Sequence, residues 1–161
     1  MTISVGDKLP TATFAVMGAD GPGPRTSSEI FDGRTVALFA VPGAYTPTCS
    51  ITHLPGFIEH AAALKAKGVD EIACTAVNDI FVLDAWGKSH DANDKITMIA
   101  DGSGVFAKAV GLDLDLNEPG LGLRSKRYSM LVVDGTVKAL NIDEDTGMAE
   151  ISGAKAMLDA L

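Results

Sequence analysis

Apolar residues recur along the chain in two rhythms. Residues 34–41, 71–77 and 97–100 are nearly unbroken apolar runs, as expected of strands buried on both faces of a sheet. Residues 11–17 alternate well enough for a first strand, and the Gly- and Pro-rich residues 18–24 read as a turn region. Residues 26–31 carry helix-start chemistry but have room for only a turn or so. From 48 to 67 the period becomes helical: Ile51, Leu54, Ile58, Ala62 and Leu64 share one face, and Gly68 stops the run. Pro55-Gly56 inside it predicts a kink or break. Asn78 is placed to cap a helix running to about His90, and residues 101–104 turn into a helix over 105–110. Residues 112–123, with turn residues and alternating acids, read as an irregular connection. Asp134-Gly135 joins strands at 128–133 and 136–141 in a hairpin, and an amphipathic helix over 152–161 ends the chain.

Strands alternating with helices and closing in an antiparallel pair predict an α/β fold: a mixed central sheet flanked by helices on both faces. Neither a repeat nor a linker interrupts the pattern, so one domain over residues 1–161 is expected. The composition, 47% hydrophobic, is that of a chain with a sizeable core. A formal charge of −8 argues against nucleic acid or an anionic membrane surface as the main partner and suits a small neutral substrate. No apolar run approaches the ~20 residues that cross a bilayer. The first residues show neither a basic nor an apolar leader region, which makes the cytoplasm the expected location. Two cysteines, Cys49 and Cys74, are too few for a disulfide scaffold.

The most informative stretch is the handover after the second strand, Pro42-Gly43-Ala44-Tyr45-Thr46-Pro47-Thr48-Cys49-Ser50. Thr46 suits an N-cap and Pro47 the first helical position, which puts Cys49 in the first turn beside unpaired N–H groups and the positive end of the helix dipole. Such an environment favours thiolate. Its strength decides what else is needed: a two-unit fall in a thiol pKa takes about 2.7 kcal/mol, and a helix end supplies typically 0.3–1 kcal/mol. A cation must contribute. Arg124-Ser125-Lys126-Arg127 is the densest basic patch available. The Thr46 hydroxyl lies three residues before the sulfur and could bond it, and the N–H groups of Thr48 and Cys49 form a small anion-binding nest.

Pro42-x-x-x-Thr46-x-x-Cys49, extended through Thr52-His53-Leu54-Pro55-Gly56-Phe57, resembles the peroxidatic motif of the peroxiredoxins, specifically the peroxiredoxin 5 or type II (atypical) subfamily. The likeness extends to Ala76-Val77-Asn78-Asp79, Trp86-Gly87-Lys88, residues 100–104 and Lys126-Arg127-Tyr128-Ser129-Met130. It implies a thioredoxin-like fold and a homodimer. It also implies a thiol peroxidase that reduces hydrogen peroxide and alkyl hydroperoxides through a Cys49 sulfenic acid, in antioxidant defence and redox homeostasis. The matching segment places the active-site arginine at Arg127. Pro42 would shield the thiolate, and no metal, flavin or nucleotide cofactor is implied.

Cys74 sits mid-strand, where structural burial is the ordinary role of a cysteine. Its spacing from Cys49 nonetheless matches the second cysteine of type II enzymes, considered there as a resolving partner. The animal-type resolving cysteine is missing: the Thr146-Gly147 segment is followed by Met148-Ala149-Glu150-Ile151-Ser152. A one-cysteine cycle is therefore expected, with glutathione and glutaredoxin, or thioredoxin, as reductant. His53, one helical turn after Cys49, is expected to be a packed or interface residue. A Cys–His acyl-transfer pair lacks a third group, and a metal site lacks further ligands. Phe57, Phe81 and Trp86 are expected in the core. The alternative function is a thioredoxin-like binding or chaperone module with an inert Cys49.

Overall fold

The computed structural model describes all 161 residues. The strands are β1 (Thr13–Gly18), β2 (Gly21–Thr26), β3 (Thr35–Ala40), β4 (Glu71–Ala76), β5 (Thr97–Ala100), β6 (Asp113–Leu116), β7 (Gly122–Ser125), β8 (Arg127–Val133) and β9 (Thr136–Asp143). Seven of them form one sheet in the order β2-β1-β5-β4-β3-β8-β9. β3 pairs parallel with β4 and β4 with β5, while the outer pairings are antiparallel. The apolar runs at 34–41, 71–77 and 97–100 are therefore central strands. Their two faces carry two separate apolar clusters, one including Phe39, Phe57, Leu64, Trp86 and Met157 and the other Phe14, Ile30, Phe106 and Val110. This is the thioredoxin-like α/β arrangement. No helix is long and apolar enough to cross a membrane.

The helices are α1 (Ser27–Phe31), α2 (Leu54–Glu59), α3 (Ala61–Ala66), α4 (Ile80–Ser89), α5 (Val105–Ala109) and α6 (Ala154–Asp159). Several expectations need correction. Gly21–Thr26 is a strand, not a turn, because its Gly-Pro-Gly-Pro run lies at the sheet edge, where a missing N–H costs nothing. The supposedly irregular 112–123 region contains the β6–β7 hairpin, in which two short strands pair only with each other. The long helix breaks at His60 rather than at Pro55, which is tolerated near the start of α2. Asp79, not Asn78, caps α4 by accepting from Val82 N at 2.9 Å. Asn78 instead accepts from Ala44 N at 2.9 Å and so holds the loop that follows β3. Phe57 and Trp86 are core, but Phe81 is 63% exposed.

Candidate active site

β3 ends at Ala40 and the chain leaves the sheet through Pro42-Gly43-Ala44-Tyr45. Tyr45 takes a left-handed conformation, φ 63°, which is unusual for an aromatic residue and reverses the chain into the helical segment. That segment opens with Pro47 and Thr48 in helical conformation. It then winds as a π-helix over Cys49–His53, where Leu54 N–H reaches back to Cys49 O, before α2 begins. One residue is thereby accommodated in a widened turn at the cysteine, a feature that recurs at functional sites.

The Thr46 hydroxyl does not cap this helix. It lies 2.9 Å from Cys49 Sγ and 2.6 Å from Gly43 O. A hydroxyl has one proton, so Gly43 O and the sulfur compete for it. Thr48 N–H and Cys49 N–H donate to no carbonyl or side chain. Unpaired N–H groups at a helix start are the donors that an anion takes up. Cys49 itself is fully buried.

Arg127 begins β8 and is buried, 1% exposed. Nη2 donates to Cys49 Sγ at 3.0 Å and to Thr146 O at 3.0 Å, and Nε donates to Thr146 O at 3.3 Å. Nη1 lies 3.0 Å from His53 Nδ1. Since a guanidinium can only donate, His53 Nδ1 accepts, and the proton sits on Nε2, which donates to Ser152 O at 3.0 Å. Burial and then the adjacent guanidinium push the imidazole down to about 3, so it is neutral. Its ring packs against the stacked pair Phe39 and Phe57, whose centroids are 4.1 Å apart. Asp143 lies opposite Arg127 in the β8–β9 ladder but spends its carboxylate on Ile151 N, Ser152 N and the Ser152 hydroxyl. The buried guanidinium thus has no carboxylate partner.

The structure brings together Cys49, Thr46, Arg127 and, in the cavity wall, Pro42. That cavity, about 240 Å³, opens outward between Thr46, Thr48, Leu116, Leu121 and Thr146. Cys74 lies apart from these donors: it sits in β4 between Phe39 and Met98, fully buried, with no hydrogen bond. Burial pushes its thiol well up, Cys49 adds to this, and Arg127 opposes it. Both cysteines are free. His53, expected only to pack, is also the acceptor that orients Arg127, and it bonds the guanidinium rather than the sulfur. Thr146 and Ser152 were not foreseen at all. They contribute backbone carbonyls, for which side-chain patterns carry no signal.

The redoxin family model matches residues 4–158. The chain is 50% identical over 165 residues to peroxiredoxin-2E-2, chloroplastic, of Oryza sativa, covering 99% of this chain and 73% of that protein. It is 46% identical over 164 residues to peroxiredoxin-2E, chloroplastic, of Arabidopsis thaliana, covering 99% and 70%. The crystal structure of reduced Prx3 from Vibrio vulnificus in complex with hydrogen peroxide superimposes with a TM-score of 0.94 at 46% identity, covering 99% of both chains. The expectation of a cytoplasmic location does not stand, because these plant relatives are chloroplastic. That expectation rested only on the composition of the first residues, which is no positive signal for any compartment.

Proposed function

This chain belongs to the peroxiredoxins of the redoxin family, beside the type II members, and is a thiol-based peroxidase; from that premise we propose that Cys49 is the sulfur that reacts. The observation that carries the assignment is the buried Arg127. Sealing a guanidinium from water costs several kcal/mol unless an anion or a full set of acceptors compensates. Its acceptors are two neutral groups and one sulfur, and Sγ is the atom in contact that can become anionic. Arg127 and Thr46 both donate to that thiolate.

The thiolate attacks one peroxide oxygen. An S–O bond forms and the O–O bond breaks. The leaving oxygen takes a proton and departs as water or alcohol, so the sulfur is oxidised to sulfenic acid and the peroxide is reduced. Arg127 and the free N–H groups of Thr48 and Cys49 face the oxygens, where charge develops as the bond breaks. As negative charge leaves the sulfur, Thr46 can return its single proton to Gly43 O. Pro42 and the apolar Leu116 and Leu121 limit water at the mouth and accept the alkyl group of an organic hydroperoxide.

An external thiol regenerates the enzyme in this reading. Glutathione with glutaredoxin is the favoured reductant and thioredoxin the other. Cys74 is held in the ladder between β3 and β5 and takes no part. The working unit is a homodimer. Its support is the family resemblance together with the exposed Tyr45 and Leu121 on loops and Phe81 and Val105 in the first turns of α4 and α5, segments that the Ala44–Asn78 bond and the approach of Leu123 to Gly104 bring together. Mass spectrometry after one equivalent of peroxide, with and without glutathione, tests the cycle. Sulfenic acid at Cys49, converted to a glutathione mixed disulfide, is expected. A Cys49–Cys74 disulfide would overturn the one-cysteine cycle. Sedimentation equilibrium at micromolar concentration tests the dimer.

A further inference from the structure

The chain has four arginines. Arg25 and Arg34 share Glu71, and Arg127 serves Cys49. Arg124, on β7, has no carboxylate partner, although the protein carries 21 acidic residues. It is nevertheless held in place. Its Nε donates to Leu121 O at 2.8 Å, and its Nη1 lies 3.0 Å from where a Cβ on Gly43 would stand, so the guanidinium rests on the bare Gly43 backbone. Both anchors adjoin the reaction cavity: Leu121 lines it, and Gly43 follows the lining residue Pro42 in the chain. The remaining N–H groups of Arg124 have no acceptor in the protein. A half-buried, pre-oriented guanidinium with unused donors is the fork that recognises a carboxylate.

We propose that Arg124 is a carboxylate-reading residue at the rim of the peroxide cavity, selecting reactants that present a carboxylate beyond an apolar stem. The proposal rests on Cys49 being the reacting sulfur. The O–O group lies at Cys49, the stem runs along Leu116 and Leu121, and the carboxylate meets Arg124. A carboxylate could arrive on either reactant of the cycle: on an organic hydroperoxide, or on a thiol such as glutathione.

The test compares ratios within one protein, so that a general loss of rate cancels. For the peroxide half, stopped-flow rates of the reduced enzyme are measured with a medium-chain fatty-acid hydroperoxide and with its methyl ester. For the thiol half, rates of the preformed sulfenic acid are measured with glutathione and with 2-mercaptoethanol. Wild type should favour the acid over the ester by about tenfold, the usual worth of a charged hydrogen bond. Salt should reduce that preference, because the rim is exposed. Arg124→Gln should bring it near one, and Arg124→Lys should retain part of it. If instead only the glutathione-to-mercaptoethanol ratio falls in Arg124→Gln, the carboxylate is read on the reductant and the proposal holds for that half. Ratios unchanged by substitution in both halves, or a wild type indifferent to charge in both at low salt, would overturn it. The wild-type rate with hydrogen peroxide keeps this separate from the peroxidase assignment: a missing carboxylate preference beside rapid peroxide consumption defeats only the rim proposal.

Discussion

Cys49 and Cys74 are equally buried, with neither thiol exposed to solvent, yet their surroundings are opposite. Cys49 starts a π-wound turn and meets a guanidinium and a hydroxyl, and its own N–H and that of Thr48 are unpaired. Cys74 sits in the middle of a strand, flanked in the ladder by Phe39 and Met98, and meets no donor. Burial by itself therefore does not decide whether a cysteine is inert. Burial beside pre-positioned donors stabilises an anion more strongly than water exposure would, because the donors need not reorganise. Burial without donors penalises the anion. A single core, common to both residues, holds the two outcomes within one cluster of side chains.

The contrast can be broken from the Cys49 end. Cys49→Ser should lower peroxide consumption by at least about a thousandfold, because it removes the proposed nucleophile. Stopped-flow mixing with hydrogen peroxide measures it. Next in size, Arg127→Gln removes the main donor to both the sulfur and the developing oxyanion. The rate should fall by about 10²–10³-fold, the usual loss for one such donor, read as kcat/KM.

His53→Phe sharpens the comparison at a distance, since it leaves the sulfur untouched and deprives Arg127 of one acceptor. A loss of about tenfold in kcat/KM is expected, of the size of one hydrogen bond to a charged group. The same variant has a stability signature. The native imidazole, held at about 3, lies below its unfolded value of about 6.5, so between those limits the unfolded chain binds the extra proton. Wild-type stability should be complete above pH ~6.5 and fall by up to about 1.4 kcal/mol per pH unit toward pH ~3 from this group. Urea midpoints from pH 7 to 5 should show that slope weakened in His53→Phe.

Smaller again is Ser50→Ala. The buried Trp86 indole donates to Ser50 Oγ at 3.0 Å, so this change costs about 1–3 kcal/mol in stability and should shift the fluorescence of the single tryptophan. The smallest effect belongs to Cys74→Ser, which should keep turnover with glutaredoxin within about twofold. A collapse of turnover there would erase the difference between the two cysteines.

Much of the frame was legible because it is local. Central strands announce themselves as apolar runs, and the strand-to-helix handover at Thr46-Pro47 places Cys49 without any knowledge of distant residues. Where local pattern failed, a long-range partner had changed the rule. The proline-rich β2 survives because it has a sheet edge to occupy, and β6 with β7 pair only with each other. Asn78 looked like a helix cap and was instead claimed by Ala44 from another segment.

The chain's own pattern thus determined the central strands and the helices between them, the position of the cysteine at a helix start and the need for a cation, since periodicity and backbone chemistry act between near neighbours. The family resemblance pointed to Arg127, and only the tertiary structure decided how it is held: that His53 stays neutral to accept from it, and that the carbonyls of Thr146 and Ser152 complete the network. Those bonds join Arg127 to Cys49 and His53, and His53 to Ser152, across separations of 78, 74 and 99 residues. Contacts of that kind depend on the pairing of β8 with β3 and β9, and a main-chain carbonyl has no side chain by which to be read in advance.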